Sequence, residues 1–168
     1  MKDDGKPDPF EQLVGEFLSK SRIAIWGIED TKFDQGKMVA SKFRERGVTV
    51  IAVNPTFDDN PDLEWTSSLT RIDPPVEAVL IFVDAEQAMA AVEDCIKAKV
   101  PLVWLHDALS AGAATQQAID RLRSAGCTVI PGLCPMFFLR PLDPAHFCLK
   151  WFLRYNGKEE RTRSHLEA

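Results

Sequence analysis

The chain has 168 residues, of which 45% are hydrophobic and 27% charged, and its formal net charge is −5 at pH 7. This composition predicts one globular domain with a full core, and the acidic balance argues against a nucleic-acid partner, whose phosphates require a basic protein face. No run reaches the roughly 18 apolar residues of a membrane span. The polar N-terminus MKDDGKPDPF does not resemble a secretory signal, so we expect a cytoplasmic protein.

The first half of the chain alternates helix and strand patterns. We expect residues 1–9 to be a flexible tail, after which the apolar spacing over Phe10–Leu18 predicts an amphipathic helix. Ile23–Ile28 is almost wholly apolar, which is typical of a strand that is covered on both faces. A helix is predicted next over Gly36–Arg46, followed by a second apolar strand over Val48–Val53.

The second half continues this alternation. A short helical turn is predicted over residues 67–72, and three further strands then alternate with two helical stripes. The predicted strands are Ala78–Val83, Pro101–Leu105 and Cys127–Ile130, and the helical stripes run over Ala85–Ile96 and Ala114–Leu122. The stretch Pro131–Pro144 holds four prolines and is predicted to contain no regular element.

An aromatic stripe marks the C-terminal region. Phe147, Trp151, Phe152 and Tyr155 have helical spacing. They predict a helix that packs on the core or, where it is exposed, forms a homodimer surface. We expect residues 158–168 to be a flexible tail, so that a single domain covers residues 10–157.

The order of these elements predicts the architecture. Strands that alternate with helices favour a three-layer α/β/α domain with a mainly parallel sheet, here of five strands. Ligands of such sheets bind outside the carboxyl ends of the strands. Four stretches are therefore expected to meet in one crevice, namely Gly27–Met38, Asn54–Pro55, Val83–Glu86 and Leu105–Asp107.

The loop after the first strand has the features of a phosphate site. It leads from Gly27 into a predicted helix start at Gly36, and a helix start offers backbone N–H groups and the positive end of a dipole. Two common motifs are nevertheless absent. Glu29 and Lys32 stand where the dinucleotide fingerprint needs glycine. A Walker A loop that ends at Gly36-Lys37 would need glycine at position 31 and a hydroxyl residue at position 38.

The candidate chemical groups outside this loop are cysteines and a histidine. Cys95, Cys127, Cys134 and Cys148 form no C-x-x-C pair, so reduced thiols are the simplest interpretation. Cys134 follows the fifth strand as either a reactive thiol or a buried small hydrophobe, and the second reading is favoured. His106 ends the fourth strand, where an imidazole can shuttle protons. No nucleophile lies near it in sequence, so no self-sufficient catalytic centre is predicted.

The joint order of several short motifs resembles the CoA-binding domain family. This is the small Rossmann-like domain related to the nucleotide-binding domain of the succinyl-CoA synthetase α subunit. The similarity covers roughly residues 15–140, and the motifs that carry it are IAIWGI, GKMVASKFRERGVTVIAVNP, AVLIFV, VPLVWLH and GCTVIPGLCP. The resemblance implies a Rossmann-like fold that binds coenzyme A or an acyl-CoA.

The resemblance also implies which positions border the ligand. Those along the diphosphate are Gly27, Ile28 and Glu29, with Gly36, Lys37 and Met38 at the helix start. Those around the ribose, its 3′-phosphate and the adenine are Asn54, Pro55, Phe82 and Val83. The remaining positions are His106, where many members of the family carry glutamine, and Cys134 and Pro135 near the pantetheine exit.

Several functions remain open at this stage. The first is a CoA-binding sensor, carrier or regulatory protein. A second is a redox sensor that binds NAD(H) or an adenine nucleotide on the same scaffold. A third is a CoA-dependent enzyme that uses His106 or Cys134. The fourth is an interaction domain that has lost its ligand site, which Glu29 favours because a carboxylate beside a diphosphate is repulsive.

Overall fold

The computed structural model describes residues 8–29, 34–57, 65–107, 112–140, 157, 160 and 162–164. The strands are β1 (Arg22–Trp26), β2 (Thr49–Val53), β3 (Trp65–Thr66), β4 (Ala78–Ile81), β5 (Leu102–Leu105) and β6 (Thr128–Pro131). The helices are α1 (Pro9–Leu18), α2 (Gln35–Glu45), α3 (Ala88–Lys97) and α4 (Gln116–Ser124), with 3₁₀ turns at Leu69–Arg71 and Pro135–Phe137. None of the helices in these ranges is both long enough and apolar enough to cross a membrane.

One parallel sheet organises the described residues. Its strand order is β3-β2-β1-β4-β5-β6, so that β1 and β4 are the adjacent strands that are not consecutive in the chain. This arrangement confirms the predicted Rossmann-like α/β class, and the β1–β4 boundary is where the strand order reverses. The sheet has six strands rather than the predicted five. The additional strand, β3, spans two residues, too few to produce an apolar run in the sequence.

The core lies on both faces of the sheet. Helices α1 and α2 cover one face, where Phe17 meets Trp104 edge-on with ring centroids 5.2 Å apart. Helices α3 and α4 cover the other face, with buried residues that include Val92 and Ile119. Alternate residues of each strand point to opposite layers, so a strand buried on both sides must be apolar throughout.

The N-terminal boundary of the domain differs from the prediction. The expected tail over residues 1–9 includes Asp8 and Pro9, but both belong to the start of α1. The Asp8 carboxylate accepts a hydrogen bond from the Phe10 N–H at 3.0 Å, and Pro9 occupies a position whose missing N–H costs nothing. Residues 1–7 lie outside the described part of the chain.

The predicted C-terminal tail also needs correction at two residues. Thr162 is only 6% exposed, and it lies against Gly132. Arg163 forms ion pairs with Asp8 and Glu11 and covers the Phe10 ring at 5.4 Å. Thr162 therefore contacts the end of β6 and Arg163 contacts α1, so these two residues are not part of a solvated tail.

Two other expectations concern the proline-rich and aromatic stretches. Pro131 ends β6, an edge strand, and Pro135 begins a 3₁₀ turn, so the stretch that was expected to be irregular holds short regular elements. Proline is tolerated at both places because the backbone N–H that it lacks is not needed for a hydrogen bond there. The aromatic stripe from Phe147 to Tyr155 lies outside the described residues, so the homodimer surface stays a prediction.

Candidate functional site

A cavity of about 1180 Å³ opens at the carboxyl edge of the sheet. It extends from the β1–β4 boundary along α2 to the edge strand β3. Its walls combine aromatic rings, alanines and charged side chains. The lining residues are Trp26, Gly27, Ile28, Glu29, Lys37, Ala40, Arg44, Ala52, Asn54, Pro55, Thr56, Phe57, Trp65, Glu86, Gln87 and Ala90.

Six of the predicted site residues line this cavity, and they come from the loops after β1 and β2 and from the start of α2. They are Gly27, Ile28, Glu29, Lys37, Asn54 and Pro55. Gly36 is buried in the first turn of α2. A Cβ added there would lie 2.8 Å from the Asp34 carboxylate and 3.1 Å from Ile28. Met38 is 58% exposed on α2 and does not line the cavity.

Phe82 and Val83, the predicted adenine wall, do not line the cavity. The Phe82 ring packs on His106 with centroids 4.0 Å apart, and neither side chain is among the lining residues. Val83 and the Phe82 carbonyl oxygen lie directly against Gly27. Both residues follow the end of β4, and they pack against the start of the loop after β1.

Cys134 and Pro135 are buried and lie apart from the cavity lining. Burial raises the pKa of the Cys134 thiol to about 11, with a smaller opposing effect of a backbone hydrogen bond from Met136. The thiol is therefore protonated at neutral pH. This environment agrees with a small buried hydrophobe rather than a nucleophile.

The raised pKa predicts slow alkylation of Cys134. At pH 7.5 the thiolate fraction is on the order of a hundred times below that of an ordinary thiol, because each pKa unit changes it tenfold. We expect iodoacetamide to modify Cys134 in unfolded protein but not in folded protein, as read by peptide mass spectrometry. The half-buried Cys127 is the internal comparison. Rapid modification of folded Cys134 at pH 7.5 would contradict the assignment.

A carboxylate of the chain itself occupies the helix start that was expected to hold a phosphate. Asp34 is the N-cap of α2, and its Oδ1 accepts the Lys37 N–H at 3.0 Å. The other oxygen accepts the N–H of Glu29. Helix α2 begins at Gln35, one residue before the predicted start at Gly36. The start of α2, where the helix dipole favours an anion, is therefore already bound by a carboxylate of the chain itself.

Asn54 holds the two loops of the cavity together. Its amide Nδ2 donates to the carbonyl oxygen of Ile28 at 2.9 Å. Its Oδ1 accepts from the Thr56 backbone N–H at 3.0 Å and from the Thr56 hydroxyl at 2.8 Å. A side-chain amide supplies a donor and an acceptor at once, which is why this residue type suits the strand end.

Asp94 of α3 fixes the Trp26 side chain, which points into the layer of α3 and α4. The Trp26 Nε1 donates to Asp94 Oδ2 at 3.0 Å, and the same carboxylate accepts from the Ser68 hydroxyl at 2.6 Å and the Leu69 N–H at 3.0 Å. These bonds join β1, the 3₁₀ turn after β3 and α3. The indole is therefore held in one orientation at the cavity wall.

The cations of the cavity come from one face of α2. Lys37, Ala40 and Arg44 all line the cavity at spacings of three and four residues, which share a helix face. The Cα atoms of Lys37 and Arg44 are about 10 Å apart along the axis, at 1.5 Å per residue. Arg44 is anchored by a hydrogen bond from Nη2 to the Val50 carbonyl oxygen at 3.0 Å. Two positive side chains thus lie at separate places in a cavity that also contains Glu29 and Glu86.

Several lining residues were missed by the sequence analysis. Helical spacing from Lys37 predicts Ala40 and Arg44, and this signal was available. Trp26 and Ala52 belong to strands that are apolar along their buried length. In such a strand the sequence pattern does not distinguish a residue that lines a cavity from one that is buried in the core. Trp65 had no signal, because its strand is two residues long. Among the described residues, no group of three His, Cys, Asp or Glu side chains is placed to hold a metal ion.

Comparison with known proteins places these features in a family. Residues 21–140 match the family model described as CoA binding domain. The uncharacterized protein YneT of Bacillus subtilis (strain 168) is 31% identical over 128 residues, which are 76% of this chain and 92% of that protein.

Solved structures share the fold. A hypothetical protein from Pyrococcus horikoshii OT3 aligns with a TM-score of 0.67 at 24% identity, covering 84% of this chain and 96% of that one. The dinucleotide-forming acetyl-coenzyme A synthetase 1 of Ca. Korarchaeum cryptofilum, in its apo form, aligns with a TM-score of 0.57 at 20% identity. That alignment covers 70% of this chain and 27% of the synthetase chain.

Proposed function

The chain belongs to the family of CoA-binding domains, and on this premise we propose that its cavity binds coenzyme A or an acyl-CoA in a sensor, carrier or regulatory role. The observation that carries the proposal is the pair of cations on one face of α2. Lys37 and Arg44 line the same cavity two turns apart. A ligand with two separated phosphate groups can engage both, and CoA has a diphosphate and a ribose 3′-phosphate.

The size of the cavity supports an extended ligand. Pockets for ordinary small molecules occupy roughly 300–1,000 Å³. The cavity here, at about 1180 Å³, exceeds that range. Its lining combines charged groups with aromatic and alanine surface, as a ligand with both phosphates and a purine base requires.

Binding is favoured over catalysis by the placement of the two candidate reactive residues. The His106 ring packs on Phe82 rather than lining the cavity. The Cys134 thiol has a pKa of about 11 and is protonated at neutral pH. A nucleophile paired with a general base is the usual minimum for acyl-group chemistry, and these two residues do not supply it at the cavity.

One observation favours the alternative of an interaction domain with a lost ligand site. Asp34 already satisfies the N–H groups of Glu29 and Lys37 that a phosphate would use. In that case the cavity would bind neither CoA nor another nucleotide. The experiment that tests the proposal also separates this alternative.

The test is the melting temperature of the protein with and without millimolar CoA, NAD and ATP. A ligand that binds only the native state stabilises it by about 2.7 kcal/mol at a hundred times its Kd, which raises Tm by several degrees. We expect CoA to give the largest rise, and Lys37→Ala to weaken CoA binding about tenfold through loss of a charge-assisted contact.

Lys42→Ala is the matched control for Lys37→Ala. Lys42 lies on the same helix, is ion-paired with Glu45 at 2.8 Å, and does not line the cavity. We expect this variant to bind CoA like the wild type. A rise with NAD or ATP but not with CoA would replace the proposal by a nucleotide sensor, and no rise with any of the three would favour the interaction domain.

A further inference from the structure

Trp65 is an exposed indole at the rim of the cavity. Its relative exposure is 41%, and the other large hydrophobic side chain that is exposed among the described residues is Met38, at 58%. Trp65 lines the cavity and Met38 does not. Indoles contribute strongly to stability when they are covered, so an indole left open beside a cavity is a surface that a ligand can cover.

The surroundings of Trp65 leave room for a flat group. Trp65 pairs in register with Ala52 of β2, and in a parallel pair such neighbours point to the same face of the sheet. Ala52 and Ala40, which both line the cavity, have small side chains, so the space between α2 and β3 is not filled. The half-buried Phe57 lines the same cavity.

We propose that Trp65 stacks on the adenine base of the bound nucleotide and so favours ligands that carry the base over those that lack it. This assignment rests on the proposed function. A purine has a π face that stacks on an indole, whereas the phosphates and the pantetheine arm of CoA have none. The cations of α2 and the indole of β3 therefore recognise different parts of one ligand. Because β3 is held to β2 by the Ala52 and Val53 pairs, the ring is presented on a fixed strand.

The test is isothermal titration of wild type, Trp65→Ala and Trp65→Phe with three ligands: CoA, adenosine 3′,5′-diphosphate and 4′-phosphopantetheine. We expect Trp65→Ala to weaken binding of the two adenine ligands about tenfold, as base–aromatic stacking implies. Trp65→Phe keeps an aromatic face, so most of the affinity is retained. Affinity for 4′-phosphopantetheine, which lacks the base, is expected to be the same in all three proteins.

Met38→Ala is the matched control, because it removes an exposed hydrophobic side chain that does not line the cavity. It is expected to leave all three affinities unchanged, and Tm of each variant reports its folding. Equal CoA affinity in wild type and Trp65→Ala overturns the stacking role while CoA binding itself stands. An equal loss for 4′-phosphopantetheine also overturns it, since the effect would not concern the base. A wild type that binds no CoA overturns the proposed function, and the stacking role with it.

Discussion

Gly27→Ala is expected to destabilise the fold by about 3 kcal/mol or more. Gly27 has a φ of +101°, a backbone conformation that is strained for a residue with a side chain. In addition, an added Cβ would lie 2.7 Å from the Phe82 carbonyl oxygen and overlap the Val83 side chain. The obstructing atom is backbone at the end of β4, which cannot move without disturbing the sheet. The measurement is the free energy of unfolding in urea.

Two other glycines separate the causes of this effect. Gly47 has a φ of +81° with nothing near a built Cβ, so Gly47→Ala reports backbone strain alone, about 1 kcal/mol. Gly15 lies within α1, also with open space, so Gly15→Ala is expected to stabilise the protein by about 0.5–1 kcal/mol. If Gly27→Ala lowers the free energy of unfolding no more than Gly47→Ala does, the loops after β1 and β4 do not approach each other as closely as described.

Asp34→Asn is expected to tighten CoA binding about tenfold at low salt, if CoA binds as proposed. The Asp34 carboxylate accepts the N–H groups of Glu29 and Lys37 and would repel an approaching phosphate. Charges about 4 Å apart near a surface interact by about 1–4 kcal/mol. Asparagine caps a helix as well as aspartate, so α2 keeps its start while the charge is removed. Titration calorimetry at two salt concentrations measures the effect, which salt diminishes.

Asp120→Asn provides the control for the change in net charge. Asp120 lies on α4, away from the cavity lining, and accepts a hydrogen bond from Gln116 at 2.8 Å. This variant is expected to bind CoA as the wild type does. Equal affinities of wild type and Asp34→Asn would show that the ligand phosphates do not approach the start of α2.

The class of fold was predictable because parallel strands buried on both faces must be apolar throughout. Ile23–Trp26 and Ala78–Ile81 appear in the sequence as such runs, each beside a helical stripe. The limits of these strands were less predictable. Ile28 is as apolar as Ile25, but β1 ends at Trp26, where Gly27 takes a positive φ and the chain leaves the sheet.

The candidate site was predictable to the extent that it follows from topology. The loops after β1 and β2 meet at the cavity because strand ends converge at one edge of a parallel sheet. The role of Asp34 was missed because the predicted helix start lay at Gly36, although aspartate is a preferred N-cap and Asp34 stands three residues before Lys37. Trp65 depends on a tertiary pairing of two residues, which no local pattern encodes.

The strand order has a consequence for how a ligand affects cooperativity. Because β1 pairs with β4, the sheet consists of two halves that are each contiguous in sequence and that pair along this one boundary. We expect partial opening between them at a free energy below that of global unfolding. Trp26 and Ala52 contribute cavity walls from the first half, and Glu86 and Ala90 from the second. A bound molecule therefore fastens one half to the other, so its slowing of amide hydrogen exchange extends to strands that it never touches.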